Sequence, residues 1–310
     1  MIAVLQQTLP FFALIGLGWL AGRRGMFDAA ATAALTKFVF YFALSAMLFR
    51  FSSELDLAQV IDARFLLAYL VPSALVYALA TIVALVRRRG VLEAAVEAQC
   101  AVIGNVGFLG IPMLVLLLGT DAIGPVVQVL AVDLIVFGSL IVILITAARE
   151  GRVRLRTLGA VGLGLVRNPM IVSVVAGLAW AATGWTMPVP AASFVAILGA
   201  AATPGALFAI GASLAGKSAE RLSVALWLST CKLVLHPAAV AVSALLVFGV
   251  DPYAAGVMTA AAALPVAGNV YIIAQAYGVA PMRASTSILV STVLSVMTFT
   301  GAMALLGRLG

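Results

Sequence analysis

Charge is what this chain has least of. Only 9% of its 310 residues are Asp, Glu, Lys or Arg, while 64% are hydrophobic and the mean hydropathy is +1.20. A soluble domain carries about 25% charged residues, so that class is excluded and a polytopic membrane protein remains. Histidine occurs once, at 236, which rules out the His-Glu-x-x-His chemistry of metalloproteases. No Gly-x-Ser-x-Gly elbow offers a serine nucleophile. Cysteine occurs twice, and the spacing of Cys100 and Cys231 suggests neither a disulfide nor a metal site. Neither an enzyme nor a protein with a metal or organic cofactor is expected. Neither a G-x-x-x-x-G-K-[ST] phosphate loop nor a soluble domain to hold one is expected, so transport driven by nucleotide hydrolysis is not expected either.

What is present is a succession of apolar runs. About 20 apolar residues cross the hydrocarbon as a helix, and candidates fall at 2–21, 32–51, 65–86, 93–118, 122–148, 168–185, 189–214, 222–248, 253–278 and 282–307. The longest polar connection runs from Arg149 to Arg167 near mid-chain and holds Arg152, Arg154 and Arg156 as well. The net charge of +7 does not point to nucleic acid, because the basic residues sit in short connections between apolar runs. Odd-numbered connections hold Arg23 and Arg24, Arg87 to Arg89, the arginine-rich linker, Lys217 and Arg221, and Arg283; even-numbered ones hold only Arg50 and Arg64. Positive residues stay cytoplasmic, which predicts both termini outside the plasma membrane. Run one is preceded by no Lys or Arg and followed by Arg23-Arg24, the reverse of a cleavable signal, so it is expected to remain.

Runs four and nine are each interrupted. The segments Gln99-Cys-Ala-Val-Ile-Gly-Asn-Val-Gly-Phe-Leu-Gly-Ile-Pro112 and Leu264-Pro-Val-Ala-Gly-Asn-Val-Tyr271 put helix breakers and an asparagine mid-run, and both contain Gly-Asn-Val. Lipid offers no partners to the backbone groups that a break releases, so such a break must be buried in protein or line a polar cavity. A second echo pairs Ala43-Leu-Ser-Ala-Met-Leu-Phe49 with Ala202-Thr-Pro-Gly-Ala-Leu-Phe208. Two halves of five spans each, 1–150 and 168–310 around a basic linker at 151–167, must then be inverted relative to one another. Paired breaks in such halves point to a transporter's substrate site. The N-terminal ends of the resumed half-helices would offer free N–H groups to an anion.

Ionisable residues inside a span normally face a partner or a pathway. Asp133 lies about 11 residues into run five and Lys232 about 11 into run eight, roughly 16 Å deep at 1.5 Å per residue, and His236 follows Lys232 by one turn. They read either as a coupling site with a cationic switch or as an ion pair that neutralises itself. Ser287, Ser291, Ser295 and Thr298 form a hydroxyl stripe suited to contacts between helices. Gln99 and Gln275 flank the breaks and could donate to a carboxylate. Glu93 and Glu97 open run four at its positive dipole end.

The segments Gly104–Pro112 and Ala263–Gly278 resemble the two signature regions of the auxin efflux carrier family, whose bacterial members include proteins assigned to malonate transport. The ten runs, the central basic linker and Phe40-Tyr-Phe-Ala-Leu44 fit the same family. The resemblance implies an all-α fold of ten spans as a 5+5 inverted repeat, similar to bile acid sodium symporters in the bile acid, arsenite and riboflavin transporter superfamily. Spans 1, 2, 6 and 7 would form a scaffold, and spans 3 to 5 and 8 to 10 a mobile domain around the crossing of spans 4 and 9. It also implies that Pro112 and Pro265 are crossover prolines, and that Asn105 and Asn269 face the substrate with Gly104, Gly107, Gly268, Tyr271 and Gln275 around them. Ser45 stands where a proline is expected and Ala276 where a basic residue is frequent. The implied function is transport of a small organic anion by elevator-type alternating access, with a proton or sodium ion as the coupling candidates and a homodimer formed through the scaffold. A sodium-coupled solute symporter and a sensor that binds without flux are the competing readings.

Overall fold

The computed structural model describes residues 2–54, 62–150, 155–216 and 222–306, and among these it is all-helical, without strands. Six helices are long and apolar enough to cross a membrane: α2 (Ala29–Ser53), α3 (Ala63–Val86), α6 (Thr120–Arg149), α9 (Val189–Ala215), α10 (Leu222–Val247) and α13 (Pro281–Leu306). The others are α1 (Ile2–Arg23), α4 (Val91–Val102), α5 (Val106–Leu118), α7 (Leu155–Val166), α8 (Pro169–Ala182), α11 (Pro252–Ala262) and α12 (Gly268–Ala276). Runs four and nine are thus each two helices, α4 with α5 and α11 with α12. The central basic connection contains a helix of its own, α7, because Leu155–Val166 is apolar apart from its first turn. Arg152, Arg154, Lys217 and Arg221 of the topology argument lie outside the described residues.

Helix starts follow the local chemistry. The carboxylates or amide of Asp28, Asp62, Asn168 and Asp251 accept N–H groups of Ala31, Arg64, Met170 and Ala254 at 2.7, 2.8, 2.9 and 3.0 Å, satisfying donors that a first turn leaves free. Proline follows the cap in α8 and α11, where its missing N–H costs nothing. Gly119 ends α5 at φ 93°, a conformation open to glycine and strained for other residues.

Small residues set the tightest packing. A Cβ built on Gly18 of α1 would lie 2.1 Å from the Phe208 carbonyl oxygen of α9, and one on Gly211 of α9 would lie 1.9 Å from that of Ile15 in α1. Gly177 of α8 approaches Phe49 of α2 in the same way, at 2.6 Å from its carbonyl oxygen. Between apolar helices in lipid, association comes from such close backbone contact rather than from water exclusion. Helices α1, α2, α8 and α9 pack together on these surfaces, while α3, α4, α6, α10, α11 and α13 pack around the two breaks.

The expectation that the chain lacks a G-x-x-x-x-G-K-[ST] string is incorrect: Gly211-Ala-Ser-Leu-Ala-Gly-Lys-Ser218 matches this pattern of nucleotide phosphate loops. Its first five residues are the end of α9, with Gly211 pressed against α1. A phosphate loop has to lie between a strand and a helix with its N–H groups free, and a helix interior has none to offer.

Candidate functional site

The two breaks cross each other. Ile103 leaves α4 in an extended conformation, and Gly104 pairs with Val266 as an isolated antiparallel bridge. Asn105 N–H donates to the Pro265 carbonyl at 2.8 Å and Ala267 N–H to that of Ile103 at 3.0 Å. Each break thereby satisfies groups released by the other, which answers the need for internal partners within lipid. Ser291 of α13 accepts Val266 N–H at 3.0 Å, so the hydroxyl stripe supports the crossing directly, while Ser287, Ser291 and Ser295 donate to carbonyls of their own helix.

Beside the crossing lies a cavity of about 80 Å³. The crossing contributes Gly104, Asn105, Ala267 and Asn269, the start of α5 contributes Gly107 and Phe108, and Asp133 comes from α6. The opposite wall is Phe40 of α2 with Asn168 and Met170 at the head of α8. Phe40 and Phe108 stack with centroids 6.1 Å apart, and the Met170 methyl fills the space a side chain on Gly107 would need. A Cβ on Gly268 would meet nothing within 4 Å. α5 and α12 both begin at this cavity, and a helix's first N–H groups have no partner within the helix.

Behind the crossing runs a chain of buried polar groups. Tyr69 O–H of α3 donates to Asp133 Oδ1 at 2.9 Å. Ser73 donates to the Tyr69 carbonyl at 2.6 Å and meets His236 Nε2 at 2.9 Å. His236 Nδ1 lies 3.3 Å from Lys232 Nζ, and Lys232 donates to the Ala262 carbonyl at the end of α11. Asp133 and Lys232 sit within π-helical turns, Val132–Phe137 and Cys231–Leu235, a distortion that recurs at functional sites. Among the described residues Asp133 and Lys232 form no direct salt bridge; this longer path links them, their charges still act on each other, and Lys232 Nζ packs against Gly104.

Of the residues expected at the site, Asn105, Asn269, Gly104, Gly107, Gly268 and Asp133 line the cavity. Lys232 and His236 stand behind its wall, both 0% exposed. Pro265 is at the crossing, but Pro112 is not: α5 has resumed by Val106, so Pro112 sits in continuing helix and borders a second cavity with Met47 and Arg50. Gln275 is exposed and Tyr271 half-buried, and neither lines the central cavity, because α12 carries them two and one turns past its start. Gln99 is buried and donates to the Phe137 carbonyl at 3.3 Å. The glutamates that open α4 do more than meet a dipole. Glu97 is 0% exposed and accepts from Arg87 and, at 2.7 Å, from Arg283, which also reaches Glu93 at 2.9 Å.

Tyr69, Ser73, Asn168, Phe40 and Phe108 were not singled out as site residues from sequence. Tyr69, Ser73 and Tyr77 recur every four residues on α3, a polar stripe on one face of an apolar helix; that was the available signal. Asn168-Pro169 carried a capping signal only.

The model of a family described as "Membrane transport protein" matches residues 3–303. A Rhizobium meliloti (strain 1021) protein named "Putative malonate transporter" is 33% identical over 305 residues, covering 96% of this chain and 94% of that protein.

Proposed function

This chain belongs to the membrane transport protein family, the auxin efflux carriers, and from that premise we propose that it carries a small organic anion, a carboxylate, by elevator-type alternating access. The observation that carries the reading is the pair of helix starts, α5 and α12, opening onto one cavity whose wall also holds the amides of Asn105 and Asn269. Helix N-termini combine free N–H donors with positive dipole ends. The cavity is small, which favours a compact acid. The relative's name, with malonate in it, agrees with that size and charge.

In this reading the ten spans are a 5+5 inverted repeat in the plasma membrane, with both termini outside. Helices α1, α2, α8 and α9 are the scaffold, through which a dimer forms, and the helices around the crossing move against it. The glycine-to-carbonyl contacts of α1 with α9 and of α2 with α8 support a stiff scaffold. The buried ion cluster of Arg87, Glu97 and Arg283 joins the end of α3 to α4 and α13 and supports a second rigid unit. Between the units lie softer contacts, the Phe40–Phe108 stack and Met170 against Gly107. A monoanion moving with a 100 mV potential gains about 2.3 kcal/mol, so a gradient or potential is a sufficient drive.

The test is calorimetric titration of the purified protein with malonate, acetate, benzoate and glycine. Binding of the short acids, weakened in Asn105→Ala and Asn269→Ala, is the expected result. Wild-type affinity in both variants would remove the crossing from the substrate site.

A further inference from the structure

The cavity that would receive the anion has a carboxylate in its wall. Asp133 is 3% exposed, and while its Oδ1 accepts from Tyr69, its Oδ2 is buried with no hydrogen-bond partner. Asn269 Oδ1, in the same cavity wall, is also buried and unpartnered. An ionised carboxylate accepts only, so the wall holds two oxygens that require a donor. Among the described residues no Lys, Arg or His lines the cavity.

The nearby cation is Lys232, which approaches Gly104 of the cavity wall from behind: a Cβ built there would lie 3.3 Å from Nζ. The hydrogen bonds fix the charge of its neighbour. Ser73 gives its one proton to the Tyr69 carbonyl, so it can only accept from His236 Nε2. His236 is then neutral, with Nδ1 left to accept from Lys232. The empty site therefore holds one carboxylate and one ammonium and sums to zero. The titratable groups facing Asp133 are Tyr69 of α3 and Lys232 of α10, and His236 faces Lys232. The groups that α2, α5 and α8 bring to the cavity, Phe40, Phe108, Asn168 and Met170, do not titrate.

An entering anion would leave this buried site with uncompensated negative charge, which is costly away from water. Resting on the anion-carrier reading, we propose that each carboxylate enters together with one proton, taken up from the aqueous side onto Asp133 Oδ2, so that the protein is a proton–carboxylate symporter. Malonate, a dianion at pH 7, carries a second proton on its own far carboxylate, and for a monoanion such as acetate the Asp133 proton alone restores neutrality. It also turns the orphaned acceptor into an O–H donor to a carboxylate oxygen of the substrate, among the stronger hydrogen bonds available to a protein. When the anion leaves, the proton leaves Oδ2 with it and the empty site returns to zero charge.

The measurement is proton uptake on binding. The purified protein is titrated with malonate, and separately with acetate, at pH 7 in weak buffer with a pH-indicator dye, alongside calorimetry for occupancy. About one proton taken up per bound acetate and about two per bound malonate, a dianion at pH 7, are expected for wild type and Asp133→Glu, and one fewer per bound anion in each case for Asp133→Asn, whatever its affinity. In proteoliposomes the Asn variant should lose accumulation driven by a proton gradient. An anion complex formed by wild type without proton uptake overturns the symport and leaves the carrier reading standing; uptake unchanged in Asp133→Asn also overturns it. Failure of both acids to bind wild type overturns the carrier reading and the symport together. The wild-type stoichiometry decides the matter even where the Asn variant does not fold.

Discussion

At the scale of single residues, position relative to the crossing separates polar groups that face the cavity from those held by other protein groups. Asn105 and Asn269 line the cavity, and losing a hydrogen bond to a charged ligand costs about 1.5–3 kcal/mol. Each alanine variant should therefore weaken malonate binding roughly 10- to 150-fold, by calorimetry, with an unchanged melting temperature. Glu97 answers to a different rule. It is fully buried between Arg87 and Arg283, and removing one partner of a buried pair typically costs about 3–5 kcal/mol; Arg283, 9% exposed, would keep only the more exposed Glu93. Glu97→Ala should lower the melting temperature sharply in a thermal unfolding assay. Glu93→Ala should lower it little, since the Glu93 side chain is 38% exposed and solvent screens its bond to Arg283. Equal effects from the two would contradict this assignment. Sequence identified the cavity asparagines, because Gly-Asn-Val recurs in two interrupted runs. It did not identify Tyr69 or Ser73, since their partners Asp133 and His236 lie 64 and 163 residues away, and no local pattern encodes those contacts.

At the scale of elements, glycines divide into those that admit a neighbouring helix and those that leave room. Gly211 sits 1.9 Å, in Cβ terms, from the Ile15 carbonyl, which is backbone and cannot turn aside. Gly211→Leu should separate α1 from α9, reduce the yield of folded protein and lower the melting temperature. Gly268 opens onto empty space, so Gly268→Ala should fold normally and lose affinity for malonate by narrowing the cavity. A folded, fully active Gly211→Leu protein would contradict the packing assignment. The helix positions were largely legible, because runs of about 20 apolar residues punctuated by Asp, Asn, Gly and Pro leave few alternatives. The crossing was legible as two breaks. Their mutual hydrogen bonds were not, because a bridge of one residue pair carries no periodicity. Pro112 misled for a related reason: it follows the π-helical turn Val106–Gly110 within α5, and a helix can continue past a proline where a turn is locally distorted, so its presence did not mark where the chain is extended.

At the scale of the whole molecule, the proposed orientation rests on charge and the proposed function on the crossing. Met26 and Trp185 are both exposed, in the first and sixth connections, and native Cys100 and Cys231 are buried. Cysteine at 26 should label only from the cytoplasm and cysteine at 185 only from outside, as the excess of arginine in odd-numbered connections dictates; the opposite pattern would reverse the topology. The most direct test of a carboxylate carrier working through the crossing is counterflow. Proteoliposomes loaded with unlabelled malonate are diluted into trace labelled malonate, and internal label is followed with time. Wild-type protein should accumulate label transiently above the outside concentration, while the folded Asn105→Ala/Asn269→Ala double variant should not. An absence of counterflow with wild type, for malonate and for every short carboxylate that binds it, or undiminished counterflow in the double variant, would contradict the account.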